Sequence, residues 1–356
     1  MGHDLQIRKR LKANGLDALL ITGEANRLYV SSFPTPGDDA VVLLTEDALY
    51  YLTDFRYIEA ARKAVCGQVE MVSRGRGYVT LLNEIIDAKG LHNIGFEEEY
   101  IGYAQHRLYA EKLHAVLHPA TALLCEARER KDAAEIEKMI AAQRIAERAF
   151  TELLNDVRVG VTERELAARL IYLTLCFGGE GVSFDPIVAS GENGSVPHAV
   201  PGDRVLRAGD FVTFDFGAKY EGYCSDTTRT VALGSVTDEM AQVYEIVREA
   251  QRRGIAAAKA GVSGEAIDAA ARDYIAACGY GDAFGHAFGH SLGIEVHEAP
   301  NATPNNKCPL PCGAVISAEP GIYLEGKFGV RIEDVLILQE DGNTDITELP
   351  RELQIL

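Results

Sequence analysis

Short apolar runs and amphipathic stretches alternate along the first third of the chain. The apolar runs predict strands at residues 18–21, 40–44, 48–52, 69–72 and 93–96. The amphipathic stretches repeat their apolar residues with helical spacing and predict helices at residues 5–12, 56–65, 78–88 and 105–113. Alternating strands and helices indicate an α/β layered domain, which we place at residues 1–125.

A polar segment at residues 126–131 follows, and we interpret it as a linker. The next residues have the pattern of a helix start, because Asp132 is followed three positions later by Glu135. Each of these side chains can accept a hydrogen bond from the other residue's backbone amide, which forms a capping box. Apolar residues then recur on one helical face as far as Phe150. We therefore expect a second domain at residues 132–356.

Two short segments of this second domain, about one hundred residues apart, resemble each other. Gly160, Val161 and Thr162 open one helical stretch, and a Gly-Val-Ser sequence at residues 261–263 opens another. Each segment follows a long predicted helix and precedes a glycine-containing turn and a strand. Either the match is accidental, or the domain consists of two similar halves that face each other across a cleft.

Two aspartates lie on neighbouring predicted strands. The strand at residues 211–217 is mostly apolar and is interrupted by one acid, Asp215, and the next strand passes through Asp226. If the hairpin loop consists of Tyr220 and Glu221, the two aspartates lie directly opposite each other, with Cβ atoms about 4.5–5.5 Å apart. Two carboxylates at that distance repel each other unless one is protonated or a cation lies between them. A single acid in a strand is common at a sheet edge, but two acids in register favour a metal site.

Histidines and further acids follow in the last quarter of the chain. His286, His290 and His297 lie within twelve residues, among glycines that let the backbone approach a ligand closely. Glu319 and Glu333 interrupt two later apolar strands. Arg331 lies two residues before Glu333 and so shares its face of the strand, where a surface ion pair is the alternative interpretation.

Four acids and one histidine thus occupy segments whose other residues are suited to burial. Burying one unpaired carboxylate costs several kcal/mol even after relaxation, whereas a domain is stable by only about 5–15 kcal/mol. Two divalent cations would balance the four negative charges, generate a hydroxide nucleophile from shared water and polarise a carbonyl group. Oxygen ligands with one imidazole suit Mn²⁺, Fe²⁺, Co²⁺ or Zn²⁺.

The composition of the chain excludes several classes of protein. The chain has 356 residues, 47% of them hydrophobic, and a formal charge of −18, which argues against nucleic-acid and anionic-membrane partners. No apolar run reaches the roughly 18 residues of a membrane span, and the first residues lack the pattern of a signal peptide. Seven cysteines, an odd number, indicate reduced thiols in the cytoplasm. Cys308 and Cys312 are interpreted as isolated thiols, with a reactive pair as the alternative.

The acidic and histidine pattern resembles that of one enzyme family. The order Asp, Asp, His, Glu, Glu in these sequence contexts is similar to that of the pita-bread metallopeptidases, which include aminopeptidase P, prolidase and methionine aminopeptidase. The resemblance covers roughly residues 130–356 and implies a catalytic domain with pseudo-twofold halves. It also implies a metal centre, in which the second aspartate and the last glutamate bridge two ions, with the ligands Asp215, Asp226, His290, Glu319 and Glu333. The first domain resembles the amino-terminal domain of prolidase, aminopeptidase P and creatinase.

Within this family, the chain resembles the proline-specific branch. The similarity lies in Ser190 and Gly191 followed by His198, in His286 and in the sequence around His297. It implies that His198 contacts the substrate and that His297 assists at the tetrahedral intermediate. The chain departs from the family pattern between His286 and His290, where it has Ala-Phe and the family commonly has smaller residues. This departure leaves the fine substrate preference open.

The resemblance assigns roles to two further residues. Glu319 is expected to move the proton of the nucleophilic water in addition to binding metal. Arg331 matches a supporting arginine of the family that stands beside the last ligand. We therefore list the expected catalytic residues as His198, His286, His297, Glu319 and Arg331.

We expect a metal-dependent exopeptidase that hydrolyses the Xaa-Pro bond at the amino terminus of short peptides, as an Xaa-Pro aminopeptidase or an Xaa-Pro dipeptidase. A bond before proline lacks an amide N–H, so peptidases that grip an extended backbone fail on it. The expected metal is Mn²⁺, and the resemblance implies a homodimer. The alternatives are a creatinase-like C–N hydrolase without metal and a non-catalytic pita-bread binding protein. Relatives of both kinds have lost members of the ligand set that this chain retains.

Overall fold

The computed structural model describes residues 3–356 and forms two compact units, the first ending at Ala127 and the second running from Arg128 to Leu356. Across the described residues, no helix combines the length and the apolar character that crossing a membrane requires.

The first unit contains a six-stranded mixed sheet. Its strands are β1 (Ala18–Ile21), β2 (Ala40–Thr45), β3 (Leu49–Thr53), β4 (Gln68–Met71), β5 (Asn93–Phe96) and β6 (Val116–Pro119). The strand order is β4-β3-β2-β1-β5-β6, with β1 antiparallel to β2 and parallel to β5. The accompanying helices are α1 (Asp4–Ala13), α2 (Glu24–Ser31), α3 (Ile58–Ala64), α4 (Tyr78–Lys89), α5 (Tyr103–Lys112) and α6 (Thr121–Arg128).

The predicted strands and helices of the first unit are all present, with ends that differ by at most two residues. Three elements were not predicted, namely α2, β6 and α6. The apolar periodicity of α2 is hidden because this helix buries the polar residues Asn26 and Arg27. The strand β6 is short and only half-buried, so its sequence shows no clear alternation.

The second unit has four long helices and several small sheets. The helices are α7 (Ala133–Leu153), α8 (Glu163–Cys176), α9 (Asp238–Ala257) and α10 (Gly264–Ala277). The strands are β7 (Gly181–Val182), β8 (Ile187–Ser190), β9 (Phe211–Phe216), β10 (Ala218–Tyr220), β11 (Tyr223–Cys224), β12 (Thr227–Ala232), β13 (Gly289–Ser291), β14 (Glu298–Ala302), β15 (Val315–Ala318), β16 (Gly321–Leu324), β17 (Phe328–Arg331), β18 (Asp334–Gln339) and β19 (Gly342–Asp345). The largest sheet has the order β14-β13-β15-β18-β19, and a three-stranded sheet has the order β12-β9-β8.

This unit consists of two halves that repeat one arrangement. In the first half, α7 and α8 share a core with β8, β9 and β12, and in the second half α9 and α10 share a core with the largest sheet. Thr162 caps α8 and Ser263 caps α10, and each also forms an isolated antiparallel bridge, to Val205 and Pro309 respectively. The similarity of the two short sequence segments therefore marks a structural repeat. The capping box of Asp132 at the start of α7 is confirmed as well.

The hairpin that carries the two aspartates has a different register from the predicted one. Its turn consists of Glu221 and Gly222, whose φ angles of 45° and 80° are both positive. Asp215 consequently lies opposite Thr228, and the prediction that it lies directly opposite Asp226 is wrong. A two-residue turn with positive φ at both positions matches the twist of a hairpin, and glycine adopts such an angle without strain. The register differs by an even number of residues, so both aspartates keep the predicted face.

Candidate metal centre

A cavity of about 510 Å³ in the second unit brings the chemically reactive side chains together. Every residue that the sequence analysis assigned to the site lines this cavity. These residues are His198, Asp215, Asp226, His286, His290, His297, Glu319, Arg331 and Glu333. The two structural halves both contribute, because the aspartates belong to the first half and the later ligand candidates to the second.

Strands and the residues next to their ends position the five candidate metal ligands. Asp215 lies within β9 between Phe214 and Phe216, which are almost completely buried. Asp226 immediately precedes β12, and His290 is the middle residue of β13. The two glutamates follow the ends of β15 and β17. The apolar strands pack into the cores and so fix the direction in which each acid enters the cavity.

Four of the five ligand candidates lie within a few ångströms of another candidate. His290 Nε2 is 3.2 Å from Glu319 Oε1 and 3.5 Å from Asp226 Oδ2. Asp226, His290 and Glu333 can each offer one ligand atom such that these atoms all lie within 4.8 Å of one another. The carboxylates of Asp226 and Glu333 are buried, with 4% and 1% of each residue exposed.

Two carboxylate oxygens of the cluster are buried without a hydrogen-bond donor. These atoms are Asp215 Oδ1 and Glu333 Oε1, for which no partner is found among the described residues. A buried acceptor without a donor costs about 1–3 kcal/mol, and more if it is charged. A cation would satisfy both atoms, so the donor set fits divalent metal ions.

Burial and mutual repulsion oppose ionisation of most of these acids. Burial, reinforced by the charge of Glu333, raises the pKa of Asp226 well above its ordinary value. Burial, reinforced by Glu319 and Asp215, raises the pKa of Glu333 in the same way. Glu319 differs. Burial raises its pKa, but the hydrogen bond and charge of His290, together with the charges of His286 and Arg331, outweigh burial and lower its pKa to about 2. A divalent cation would remove the repulsion that the other carboxylates experience.

Arg331 is buried and is held by three side chains. Its Nη2 lies 2.7 Å from Asp215 Oδ2, its Nη1 donates to the hydroxyl of Tyr323 at 2.7 Å, and its Nε donates to Thr228 Oγ1 at 3.0 Å. The alternative interpretation, a surface ion pair with Glu333, is wrong because both residues are buried and Arg331 pairs with Asp215. Arg331 therefore orients a ligand candidate.

Sequence reasoning missed Tyr323, which connects Arg331 to His286. The Tyr323 hydroxyl is 2.9 Å from His286 Nε2, and burial raises the pKa of Tyr323 to about 12. The tyrosine thus stays protonated and can hydrogen-bond both neighbours. A tyrosine in an apolar strand is common, and no spacing in the sequence distinguishes this one.

His297 and His198 are both exposed at the cavity, whereas His286 is partly buried. The ring of His297 is edge-on to that of His290, with centroids 4.3 Å apart, and desolvation together with His290 lowers its pKa. Burial likewise lowers the pKa of His286. His198 lies at the exposed edge of the cavity, on the loop between Ser195 and Gly202. His286 and His297 are therefore neutral near pH 7.

Sequence reasoning also missed a buried ion cluster behind His297. The side chain of Glu298, only 4% exposed, pairs with Arg128 and with Lys131, whose Nζ lies 3.1 Å from Glu298 Oε2. Lys131 Nζ also lies 3.3 Å from Ser291 Oγ. The cluster joins the residues that directly follow His290 and His297 in the chain. Arg128 and Lys131 belong to the segment that we interpreted as a polar linker, and both are buried.

Comparisons with known proteins cover both units. Residues 137–340 match metallopeptidase family M24, and residues 5–130 match the creatinase/prolidase N-terminal domain. The chain is 33% identical to an Xaa-Pro dipeptidase of Pyrococcus furiosus over 97% of each chain. An Xaa-Pro dipeptidase structure from Bacillus anthracis superposes with a TM-score of 0.95 at 39% identity, and an X-Pro aminopeptidase structure from Thermotoga maritima with 0.92 at 38%. Each comparison covers 99% of both chains.

Proposed function

The chain belongs to metallopeptidase family M24 and carries a creatinase/prolidase N-terminal domain, and on this basis we propose that it hydrolyses the Xaa-Pro bond at the amino terminus of short peptides. One observation carries the proposal. A single cavity collects five side chains suited to divalent metal together with three further histidines and a buried arginine. The complete ligand set supports a peptidase over the two alternatives, a creatinase-like hydrolase and a non-catalytic binding protein.

We propose two Mn²⁺ ions as the cofactor, held by Asp215, Asp226, His290, Glu319 and Glu333. Four carboxylates match the charge of two divalent ions, and the unpartnered oxygens of Asp215 and Glu333 support this assignment. Co²⁺, Zn²⁺ and Fe²⁺ suit the same oxygen-rich donor set. When bound, such ions activate water as a nucleophile and polarise the scissile carbonyl.

The remaining residues then have distinct roles in the reaction. Glu319 accepts the proton of the attacking water and passes it to the departing proline nitrogen. His297, neutral near pH 7 because its pKa is lowered, donates a hydrogen bond to the developing oxyanion. His198 contacts the substrate from the exposed edge of the cavity.

Two groups of residues support this chemistry without moving protons. Arg331 and Tyr323 hold Asp215 and His286 in place through the hydrogen bonds described above. Apolar side chains on the cavity wall, among them Phe184 and Ile187, suit a pyrrolidine ring. Neither group requires the amide N–H that a bond before proline lacks.

We also propose that the protein is a cytoplasmic homodimer that binds neither nucleic acid nor membranes. The dimer rests on the family resemblance. The seven cysteines occur as thiols, which supports a reducing compartment. The charge of −18 disfavours polyanionic partners.

Peptide hydrolysis with and without metal tests the proposed function. We expect the protein to cleave Ala-Pro, Ala-Pro-Ala or both, to lose this activity after dialysis against EDTA, and to regain it with Mn²⁺. Cleavage of Ala-Pro alone would identify a dipeptidase, and cleavage of the tripeptide an aminopeptidase. Ala-Ala and Ala-Ala-Ala serve as matched controls and should react at least about tenfold more slowly, a difference of about 1.4 kcal/mol. Unchanged turnover after metal removal, or equal rates with the controls, would refute the proposal.

A further inference from the structure

We propose that Glu163 is a positioning residue, whose carboxylate fixes both ends of the loop that carries His198 and thereby sets substrate recognition. This inference rests on the function proposed above. It concerns a residue outside the cavity that was predicted neither as a ligand nor as a catalytic group.

Glu163 is completely buried at the start of α8, directly after the capping residue of that helix. Its Oε1 accepts hydrogen bonds from Ser190 N at 2.8 Å, from Ser190 Oγ at 2.7 Å and from Asn193 Nδ2 at 3.1 Å. Its Oε2 accepts from Asn193 Nδ2 at 3.1 Å and from Gly202 N at 3.2 Å. A short 3₁₀ helix at Gly191–Ser195 separates Ser190 from the loop, and Gly202 directly follows the loop. One carboxylate thus ties together the segments on the two sides of the loop.

The chemistry of the hydrogen bonds to Glu163 indicates a role for this carboxylate in addition to stabilising the start of α8. Within the described part of the chain, the hydrogen bonds to Glu163 come from neutral donors, while burying a carboxylate without a cation costs several kcal/mol. The start of α8 offsets part of that cost through the helix dipole. An apolar residue would avoid the cost but would leave the amides of Ser190 and Gly202 without an acceptor.

The loop itself has little packing to hold it in place. Its tip reads Val-Pro-His-Ala-Val-Pro at residues 196–201, and Val196 and Val200 are 53% and 86% exposed. The carbonyl of Pro197 accepts a hydrogen bond from Arg331 Nη1 at 3.3 Å, which is a contact on the cavity side. Val196 and Val200 face solvent, so the position of His198 depends on the Pro197 contact, on the turn hydrogen bond that Ala199 N donates to Val196 O at 3.2 Å, and on the anchored segments on either side.

Glu165 provides a matched control in the same helical turn. It is exposed, and its carboxylate accepts from Thr162 N and Thr162 Oγ1, both at 2.8 Å, as part of a capping box. Its hydrogen bonds thus involve the helix start and not the His198 loop. Replacing it removes a carboxylate from the first turn of α8 and leaves the loop anchors intact.

The first test is a double-mutant cycle measured with Mn²⁺-loaded protein. Glutamine offers one acceptor oxygen and turns the other atom into a donor, which cannot bond the donors that face it. We expect Glu163→Gln to lower kcat/KM for the Xaa-Pro substrate about 10–100-fold, since a small misplacement of a substrate-contacting group costs that much. Metal content should stay close to wild type, and Glu165→Gln should keep its kcat/KM. In a His198→Ala background, Glu163→Gln should cause no further loss.

Full activity of Glu163→Gln would overturn the inference. An equal loss of kcat/KM from Glu163→Gln in the wild-type and His198→Ala backgrounds would overturn it as well. Ser190→Ala removes one donor to the same carboxylate and keeps the charges. It serves as the second variant if Glu163→Gln does not fold, and its loss should likewise vanish in the His198→Ala background.

Hydrogen–deuterium exchange separates this inference from the proposed function. Glu163→Gln should speed exchange of the amides of residues 190–202, whereas Glu165→Gln should leave their exchange unchanged. Wild-type protein without Xaa-Pro activity would refute the proposed function. Unchanged exchange in Glu163→Gln would refute the anchoring of the loop, whatever the activity of the wild type.

Discussion

Glu319 and Glu333 line the same cavity, yet their surroundings act on them in opposite directions. Burial and nearby negative charges raise the pKa of Glu333, so the metal-free protein favours its protonated form. Against the effect of burial, the hydrogen bond and charge of His290, together with the charges of His286 and Arg331, hold the pKa of Glu319 at about 2, so the metal-free protein favours its ionised form. At the scale of single residues, the two glutamates should therefore differ in their effect on stability.

Thermal denaturation in EDTA tests this difference. A carboxyl group whose pKa is raised by folding makes the folded state less stable as the pH rises through that pKa. Glu333→Gln should therefore be at least as stable as wild type at pH 8. The difference in stability between this variant and wild type should be smaller at pH 5. A lowered pKa contributes stability above the unfolded-state pKa, so Glu319→Gln should lose about 1.5–3 kcal/mol at pH 8, the value of a hydrogen bond to a charged group. A Glu333→Gln protein less stable than Glu319→Gln at pH 8 would contradict the account.

The candidate ligands could be predicted from the sequence because a charged residue in an apolar strand is costly and calls for an explanation. Tyr323 and Glu163 could not be predicted in this way. A tyrosine is ordinary in a strand, and a glutamate in the first turn of a helix is favoured by the helix dipole without any further role. Only their contacts in three dimensions distinguish them.

At the scale of secondary-structure elements, the apolar pattern predicted the strands and their buried faces better than their pairing. The hairpin register depended on which residues adopt positive φ, and one of them, Glu221, is not a glycine. Burial has a period of two along a strand, so it specifies the face but allows a register that differs by two residues. The face is what brings Asp215 and Asp226 to the same cavity.

The buried ion cluster links the start of the second unit to the segment that carries His297. Glu298 lies between Arg128 and Lys131, so Glu298→Gln leaves two buried cations short of a counter-charge. We expect this variant to lose about 3–5 kcal/mol in urea denaturation. Glu295→Gln, which alters a more exposed partner of the same Arg128, should lose less than about 1 kcal/mol. Equal losses in the two variants would show that the cluster is not a stabilising element.

At the scale of the whole molecule, the sequence resemblance predicted the fold class correctly. The chain combines a creatinase-type amino-terminal domain with a pita-bread domain, as the solved structures of its relatives confirm. The structural repeat of the second unit was visible only as two three-residue segments, because the halves share an arrangement of caps, helices and strands more than a sequence. The cavity itself was not readable from spacing, since its walls come from residues far apart in the chain.

We propose that these carboxylates lie together in the interior because cations bind between them. Mn²⁺ content, measured by mass spectrometry on chelator-treated and reloaded protein, distinguishes cation binding from a metal-free cluster. We predict about two Mn²⁺ ions per chain, the number that balances four carboxylates, and a reduced content in Glu333→Gln but not in the control Glu165→Gln. A wild-type protein that takes up no Mn²⁺, or a Glu333→Gln variant that takes up as much as wild type, would contradict the account.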